Sequence, residues 1–250
     1  MTNLMTIQDA KLTGTTYNVS KLLSAGTTNY KTAKNEGKTF IMYLAAGMQN
    51  SLKINICSGA SIGCLASCLE TAGRGVMQPV KNARLNKSEY YVTSKHAFLT
   101  QLAFEIMSKI KYYRNKDTTL YFRLNGTSDV DFLGQIKKNL GIDFLTYDNV
   151  VFYDYTKILG KARKYKDAAN YVHTFSRSED NEGKCFEALN EGINVAMVFA
   201  GELPKTYKGY KVVSGDKTDL EMLKYNGVIL GLSAKGKAKK DASGFVIQNY

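Results

Sequence analysis

Apolar positions along this chain fall into short runs of strand length, separated by stretches with a helical period. The first apolar and aromatic run, 38–44, predicts a strand. Strict alternation over 52–56 predicts a second strand, ending at Cys57. Further strands are predicted over 119–124, 150–155, 171–175, 193–199 and 228–232. Between them, Leu99, Leu102, Ala103, Ile106, Ile110 and Tyr113 share one stripe of a helix over 94–113, with shorter helices expected over 132–140 and 184–190. Strands alternating with helices imply an α/β fold with parallel pairing through right-handed crossovers, either doubly wound or curled into a full or partial barrel. In either form, sites gather at the carboxyl ends of the strands.

Residues 1–38 are rich in Thr, Asn, Ser and Lys with little apolar period, and predict an irregular polar N-terminal arm on the surface of a single domain spanning 39–250. At 250 residues and 44% apolar content the chain can bury a full core. No apolar run approaches the roughly 20 residues of a membrane-spanning helix, and no secretory signal opens the chain, so a cytoplasmic protein is expected.

The predicted strand exits are polar in a patterned way. Asn125-Gly126-Thr127-Ser128-Asp129 follows one, Thr156-Lys157 another, Ser176-Arg177-Ser178-Glu179 a third and Ala234-Lys235-Gly236-Lys237 a fourth. Together they ring one mouth. The net charge of +12 favours an anionic partner such as nucleic acid, phosphate or an acidic protein. Scattered lysines are also the ordinary make-up of a solvated surface, and the lysines of 235–240 read most simply as a solvated end. Two histidines and no Gly-x-Ser-x-Gly element argue against a hydrolase triad, and no phosphate-binding Gly-x4-Gly-Lys element is present. Asp216 and Asp219 read as residues of a helix-capping turn.

Composition changes the picture most at the cysteines. Cys57, Cys64 and Cys68 are spaced C-x6-C-x3-C in a segment containing Gly59 and Gly63. A helix starting after Gly63 would set Cys64 and Cys68 one turn apart on one face, about 5 to 6 Å between Cβ atoms. Glycines free backbone N–H groups to face sulfide, and a helix amino terminus favours thiolate charge. Three cysteines in a short loop suit a site-differentiated 4Fe-4S cluster, whose fourth iron is left for a substrate or another ligand. Zinc is the competing metal, but it prefers four ligands, and the remaining candidates, Cys185, His96 and His173, are remote in sequence. Three buried structural thiols are the third reading, and Cys185 is read as a core thiol.

The stretch 57–75, with Gly63-Cys64, Cys68-Leu69 and Thr71-Ala72-Gly73-Arg74-Gly75, resembles the bacteriophage gene-product-eighty-eight family. So do Arg123-Leu124-Asn125-Gly126-Thr127-Ser128-Asp129, Tyr153-Asp154-Tyr155-Thr156-Lys157 and Gly231-Leu232-Ser233-Ala234-Lys235-Gly236, and the match runs from about Phe40 to Phe245. This resemblance implies a viral protein acting in the infected bacterial cell. More distantly, the pattern resembles radical S-adenosylmethionine enzymes, a partial (β/α)6-type barrel with three cysteines after its first strand. The spacing departs from their usual C-x3-C-x2-C, Leu69 replaces the usual aromatic residue, and no Gly-Gly-Glu-like element is present. The resemblance implies a 4Fe-4S cluster on the three cysteines and S-adenosylmethionine as a second cofactor. Cofactor or substrate contacts would come from Arg74, Arg123, Asn125, Ser128, Asp129, Lys157, Ser176 and Lys235. The alternative is a non-catalytic cluster or zinc protein that binds nucleic acid or a host protein. For Arg123, an ion pair inside the barrel with Asp129 or Asp154 is the structural alternative.

Overall fold

The computed structural model describes residues 19–28, 32–35 and 37–250. Its centre is a ten-stranded, mostly parallel sheet. The strands are β1 (Leu23–Ala25), β2 (Lys38–Met42), β3 (Leu120–Arg123), β4 (Val150–Thr156), β5 (Tyr171–Ser176), β6 (Val195–Phe199), β7 (Thr206–Tyr207), β8 (Tyr210–Ser214), β9 (Ile229–Ser233) and β10 (Val246–Ile247). Among the described residues, six α-helices join them: α1 (Ile62–Ala66), α2 (Gln78–Thr93), α3 (Lys95–Tyr113), α4 (Phe132–Leu140), α5 (Leu159–Lys164) and α6 (Glu182–Asn190). The sheet runs β1-β2-β3-β4-β5-β6-β9-β8-β7, so chain-consecutive strands are neighbours from β1 to β6. Pairing is parallel from β2 through to β8, and only the β1–β2 and β7–β8 pairs are antiparallel. β6 pairs with β5 through Val195 and Ala196, and further along with β10 through Val198 and Phe199.

Register decides which face each side chain occupies, because alternate residues of a strand point to opposite sides. Phe40, Phe122, Phe152 and Tyr171 are aligned across β2 to β5, and Phe175, Val195 and Ile229 across β5, β6 and β9. The helices pack on this face. Leu99, Leu102 and Ile106 of α3 and Phe132 and Ile136 of α4 join the first aromatic row in one core. Leu159 and Ala162 of α5 and Cys185, Ala188 and Leu189 of α6 join the second row in another. Each fully buried Phe here stabilises the fold by roughly 1.5–3 kcal/mol. The opposite face carries Tyr121, Tyr153, Tyr155, Val213 and Leu230, covered by Leu220, Met222 and Leu223 of a short 3-10 turn.

The predicted strands 38–44, 119–124, 150–155, 171–175, 193–199 and 228–232 correspond to β2, β3, β4, β5, β6 and β9, and the predicted helices to α3, α4 and α6. Residues 52–56 form no strand. Lys53 adopts a left-handed backbone at φ 54, and the Asn50 side chain accepts from Ile54 N (2.9 Å) while donating to Ile54 O (2.7 Å). Leu52 and Ile54 are exposed, so the alternation there is not the face of a sheet. The polar arm, where described, includes β1, held by Glu105 accepting from Leu22 N and Leu23 N at 2.8 and 2.9 Å. The rest of the expected arm, 1–18, 29–31 and 36, lies outside the described residues.

The helix after Gly63 is shorter than the spacing implies. α1 ends at Ala66, and Cys68 has extended backbone (φ −55, ψ 142), so Cys64 and Cys68 do not share a helical face. Ile62, Leu65 and Leu69 are exposed, which leaves this helix no apolar face to bury and no reason to continue. Asp216 caps no helix. It accepts from Ser233 N and Lys235 Nζ, whereas the cap of the following turn is Thr218. Asp219 is the ion-pair partner of Arg123, at 2.9 Å, in place of Asp129 or Asp154.

Candidate functional site

Parallel pairing brings the exits of β2, β3, β4 and β5 to one edge of the sheet. The crossover leaving β2 carries all three clustered cysteines past this edge before entering α2. Cys57 is clamped between two exits. Its Sγ accepts from Gly47 N, after β2, at 3.4 Å and donates to the Thr127 carbonyl, after β3, at 3.5 Å. Gly47 has φ 63, a conformation that costs a residue with a Cβ, so glycine suits this turn. The Thr127 hydroxyl donates to Leu44 O at 2.5 Å, and Asp129 N donates to Ile56 O at 2.8 Å, which ties the loop before Cys57 to the same exits.

The start of α1 is anchored by the exit of β5. Glu179 accepts from Ser61 Oγ at 2.6 Å and Gly63 N at 2.7 Å, while Ser61 Oγ caps the helix by accepting from Cys64 N at 3.1 Å. Burial works to raise the Glu179 carboxyl, but these donors outweigh it and hold it below the usual glutamate range. A Cβ on Gly63 would lie 2.2 Å from Ser243 Oγ and 2.8 Å from both Glu179 oxygens, so a larger residue here would displace these side chains and with them the Glu179 anchor. Gly59 is also tight, with space for a Cβ only at 3.0 Å from Lys157 Cβ.

Lys157, at the exit of β4, is the cation of the site. Its Nζ donates to Ser176 Oγ at 2.9 Å and to Arg177 O at 2.8 Å. Burial lowers its pKa, opposed by the Cys64 thiol and by Asp129. Asp129 in turn accepts from Lys157 N at 2.8 Å, from Thr156 Oγ1 at 3.1 Å and from Lys161 Nζ.

The three thiols share one electrostatic neighbourhood. Burial pushes Cys57 up to about 11, with Asp129, Cys64 and Glu70 adding to the rise. Burial pushes Cys68 up to about 12, with Glu70, Cys64 and Cys57 adding. Cys64 is also raised by burial, and the Lys157 ammonium opposes that rise through its charge and a hydrogen bond. At neutral pH the metal-free protein therefore keeps all three as thiols, and no disulfide joins them. Among the described residues, no group of three or more His, Cys, Asp or Glu side chains is already set to hold a metal ion.

Asn125 and Ser128 form a closed hydrogen-bonded framework. Asn125 N and Nδ2 donate to the buried Asp154 carboxylate at 2.8 and 3.0 Å, and Asn125 Oδ1 accepts from Ser128 Oγ at 2.9 Å and Val130 N at 2.8 Å. Their task is to shape the loop that carries Thr127 and Asp129. Arg123 points to the sheet face opposite the helices, Arg74 is exposed on a 3-10 turn, and Lys235 is paired with Asp216. Cys185 is buried in the α6 core, His96 is exposed, and His173 stacks on Tyr165 at a ring separation of 5.2 Å and meets Tyr171 at a tilt, 4.2 Å away. The sequence missed Lys161, the role of Asp154 as acceptor for Asn125, and the anchoring role of Glu179. Position after a strand was the only signal for Glu179, Asp154 was marked only as part of the Tyr153–Lys157 motif and as an alternative partner of Arg123, and nothing local marked Lys161.

Fold and strand-edge site together define a mostly parallel α/β protein with a thiol-bearing crossover clamped on its carboxyl edge. The chain belongs to the gene product 88 family, whose model matches residues 18–249. No curated protein and no solved structure matches it. No helix among the described residues is long and apolar enough to cross a membrane.

Proposed function

We propose that this phage-family protein holds a 4Fe-4S cluster through Cys57, Cys64 and Cys68, on a partial-barrel scaffold of radical S-adenosylmethionine type. The observation that carries the reading is the gathering of three free thiols, from one stretch of the chain, over the carboxyl ends of parallel strands, where Cys68 feels both other thiols. The donor set fits the group. Thiolates are the usual ligands of such clusters, Gly47 N already faces Cys57 Sγ, and Lys157 supplies positive charge beside Cys64. Because the side chains are not yet arranged as a ligand set, loading requires rotation within the 57–68 loop. Consecutive parallel strands with the larger helices on one face are the arrangement a partial barrel needs.

A bound cluster supplies one-electron chemistry and an iron open to the amino and carboxylate groups of S-adenosylmethionine. The chain's own contribution is to hold the thiols, to balance charge with Lys157 and to keep Asp129 locked between Lys157 N and Lys161.

Anaerobic purification with iron and sulfide analysis and electron paramagnetic resonance tests this reading. The expected result is brown protein that loses its iron in Cys57→Ala, Cys64→Ala and Cys68→Ala but keeps it in Cys185→Ala. Colourless protein, or stoichiometric zinc instead of iron, overturns it. Release of 5′-deoxyadenosine from S-adenosylmethionine on reduction then separates an enzyme from a cluster protein whose basic surface binds nucleic acid or a host protein.

A further inference from the structure

The face of the sheet opposite the helices is chemically unbalanced. Arg123 at the end of β3 shares this face with Ile41 by register, and Tyr153 and Tyr155 of β4 lie on it as well. The Arg123 guanidinium sits 4.9 Å from the Tyr155 ring centre, and its charge is felt by Tyr43, Tyr153 and Tyr155. Arg84, from α2, reaches the Tyr43 ring, whose own charge acts on Arg123, with its guanidinium 4.9 Å from the ring centre. Gly126 admits Tyr43 here, since a Cβ at that position would lie 2.4 Å from the ring. Two guanidinium groups thus flank a group of tyrosines beside the exits of β2, β3 and β4.

Their hydrogen bonds do not close. Arg123 Nη1 donates to Asp219 at 2.9 Å, but Arg123 Nε is buried with no partner. Arg84 Nε and Nη1 and the Tyr153 hydroxyl are also buried and unpartnered. Arg123 is only 8% exposed and Tyr153 is 0% exposed, so bulk water does not satisfy them. Buried donors without acceptors are costly, and a bound ion is one of the few arrangements that accounts for several of them in one place. Each unpartnered group in this cluster can donate, and the neighbouring carboxylates are already engaged: Asp219 by Arg123, Asp216 by Lys235 and Ser233 N, and Asp154 by Asn125. Guanidinium forks match planar and tetrahedral oxyanions above other ligands.

We infer that this face binds a small oxyanion, phosphate or carboxylate, between Arg84 and Arg123, with the Tyr153 hydroxyl as a third donor. The site lies beside the thiols but does not depend on them, and the net charge of +12 draws anions to it.

Isothermal titration of the whole metal-free protein with inorganic phosphate and with succinate tests the inference and distinguishes the two oxyanion sources, with glycerol as the uncharged control. One of the anions is expected to bind saturably at one site per chain. Arg84→Gln is expected to weaken it by about tenfold and Tyr153→Phe by about threefold, whereas the exposed Lys53→Ala stays within about twofold. Because Tyr153→Phe deletes only an unpartnered hydroxyl, the ligand-free melting temperature should not fall, which separates lost binding from lost folding. Saturable binding by neither anion up to roughly 10 mM, a range covering typical weak sites, overturns the inference. So does affinity that survives both Arg84→Gln and Tyr153→Phe. Iron-free protein that still binds the anion would sink the cluster alone, and iron-loaded protein that ignores both anions would sink this site alone.

Discussion

The helical side of the sheet and the 47–77 crossover solve opposite problems with the same chain. On the helical side, Phe98, Phe122, Phe132, Phe144 and Phe152 are essentially fully buried and pack ring against ring. The crossover has one short α-helix, and Met48, Leu52, Ile54, Ile62, Leu65, Leu69, Val76 and Met77 are all exposed along it. Its order comes from polar clamps: Gly47 and Thr127 on Cys57, Glu179 on the start of α1, Glu70 on Ala46 N. Apolar packing makes one region rigid. Hydrogen bonds to strand exits position the other while leaving its surface open, which is how loops on a firm scaffold come to carry chemistry.

The largest effect expected from this contrast lies in the sheet. Phe152 is 0% exposed and touches Phe122, Phe144 and Tyr171, so Phe152→Ala opens a cavity and is expected to cost about 3–5 kcal/mol. Urea unfolding followed by circular dichroism measures it. A loss below roughly 1 kcal/mol, within the range of an ordinary surface change, would mean that this core is not what holds the fold.

How much of this was legible in the sequence follows the same division. β2, β3, β4, β5, β6 and β9 were readable because a strand buried on both faces shows as an unbroken apolar run. α3 was readable because its stripe is long. α2 was not: it buries only Ser88, Glu89, Tyr90 and Tyr91, and its first turns, Gln-Pro-Val-Lys-Asn-Ala-Arg, carry no continuous apolar stripe. The alternation over 52–56 misled because local hydrogen bonds from Asn50 overrode it. At the site, the thiols and strand exits were visible as local motifs. The Arg123–Asp219 pair, 96 positions apart, and the meeting of Arg84 with Tyr43 were not, since no local pattern encodes them.

Titration sharpens the comparison, because each region buries ionisable groups that respond at opposite ends of the pH scale. His173 is held neutral on the helical side, its pKa pushed down to about 3 by burial, with Lys161 adding to the fall. Between pH 6.5 and about 3 the unfolded chain carries this proton and the folded one does not, so stability is full above 6.5 and falls with acidification. The slope from this group approaches about 1.4 kcal/mol per pH unit. Cys57 and Cys68 run the other way. Their folded values of about 11 and about 12 lie above the ordinary 9.0, so these two groups cost the metal-free protein stability only as pH rises beyond 9.0, where the unfolded thiols ionise first. His173→Phe should flatten the acid limb and Cys68→Ala the alkaline limb, read from urea midpoints across pH. Flattening of the acid limb by Cys68→Ala would show the two regions to be coupled in a way their packing does not provide.

The smallest effect belongs to the crossover surface and is the most direct test of the division. Ile62 is 88% exposed and Leu69 is 54% exposed, so neither contributes appreciable burial to stability. Ile62→Ser and Leu69→Ser are expected to stay within about 0.5 kcal/mol of the parent in urea. They should also lower the binding of an apolar dye such as anilinonaphthalene sulfonate, because contiguous exposed apolar side chains attract such probes. Cys57 Sγ should remain slow toward a thiol reagent in both variants, since its protection comes from burial behind Gly47 and Thr127 and not from the outer apolar residues. If either serine variant instead unfolded as readily as Phe152→Ala, the crossover would be a packed part of the core, and polar clamping would no longer account for the position of the thiols.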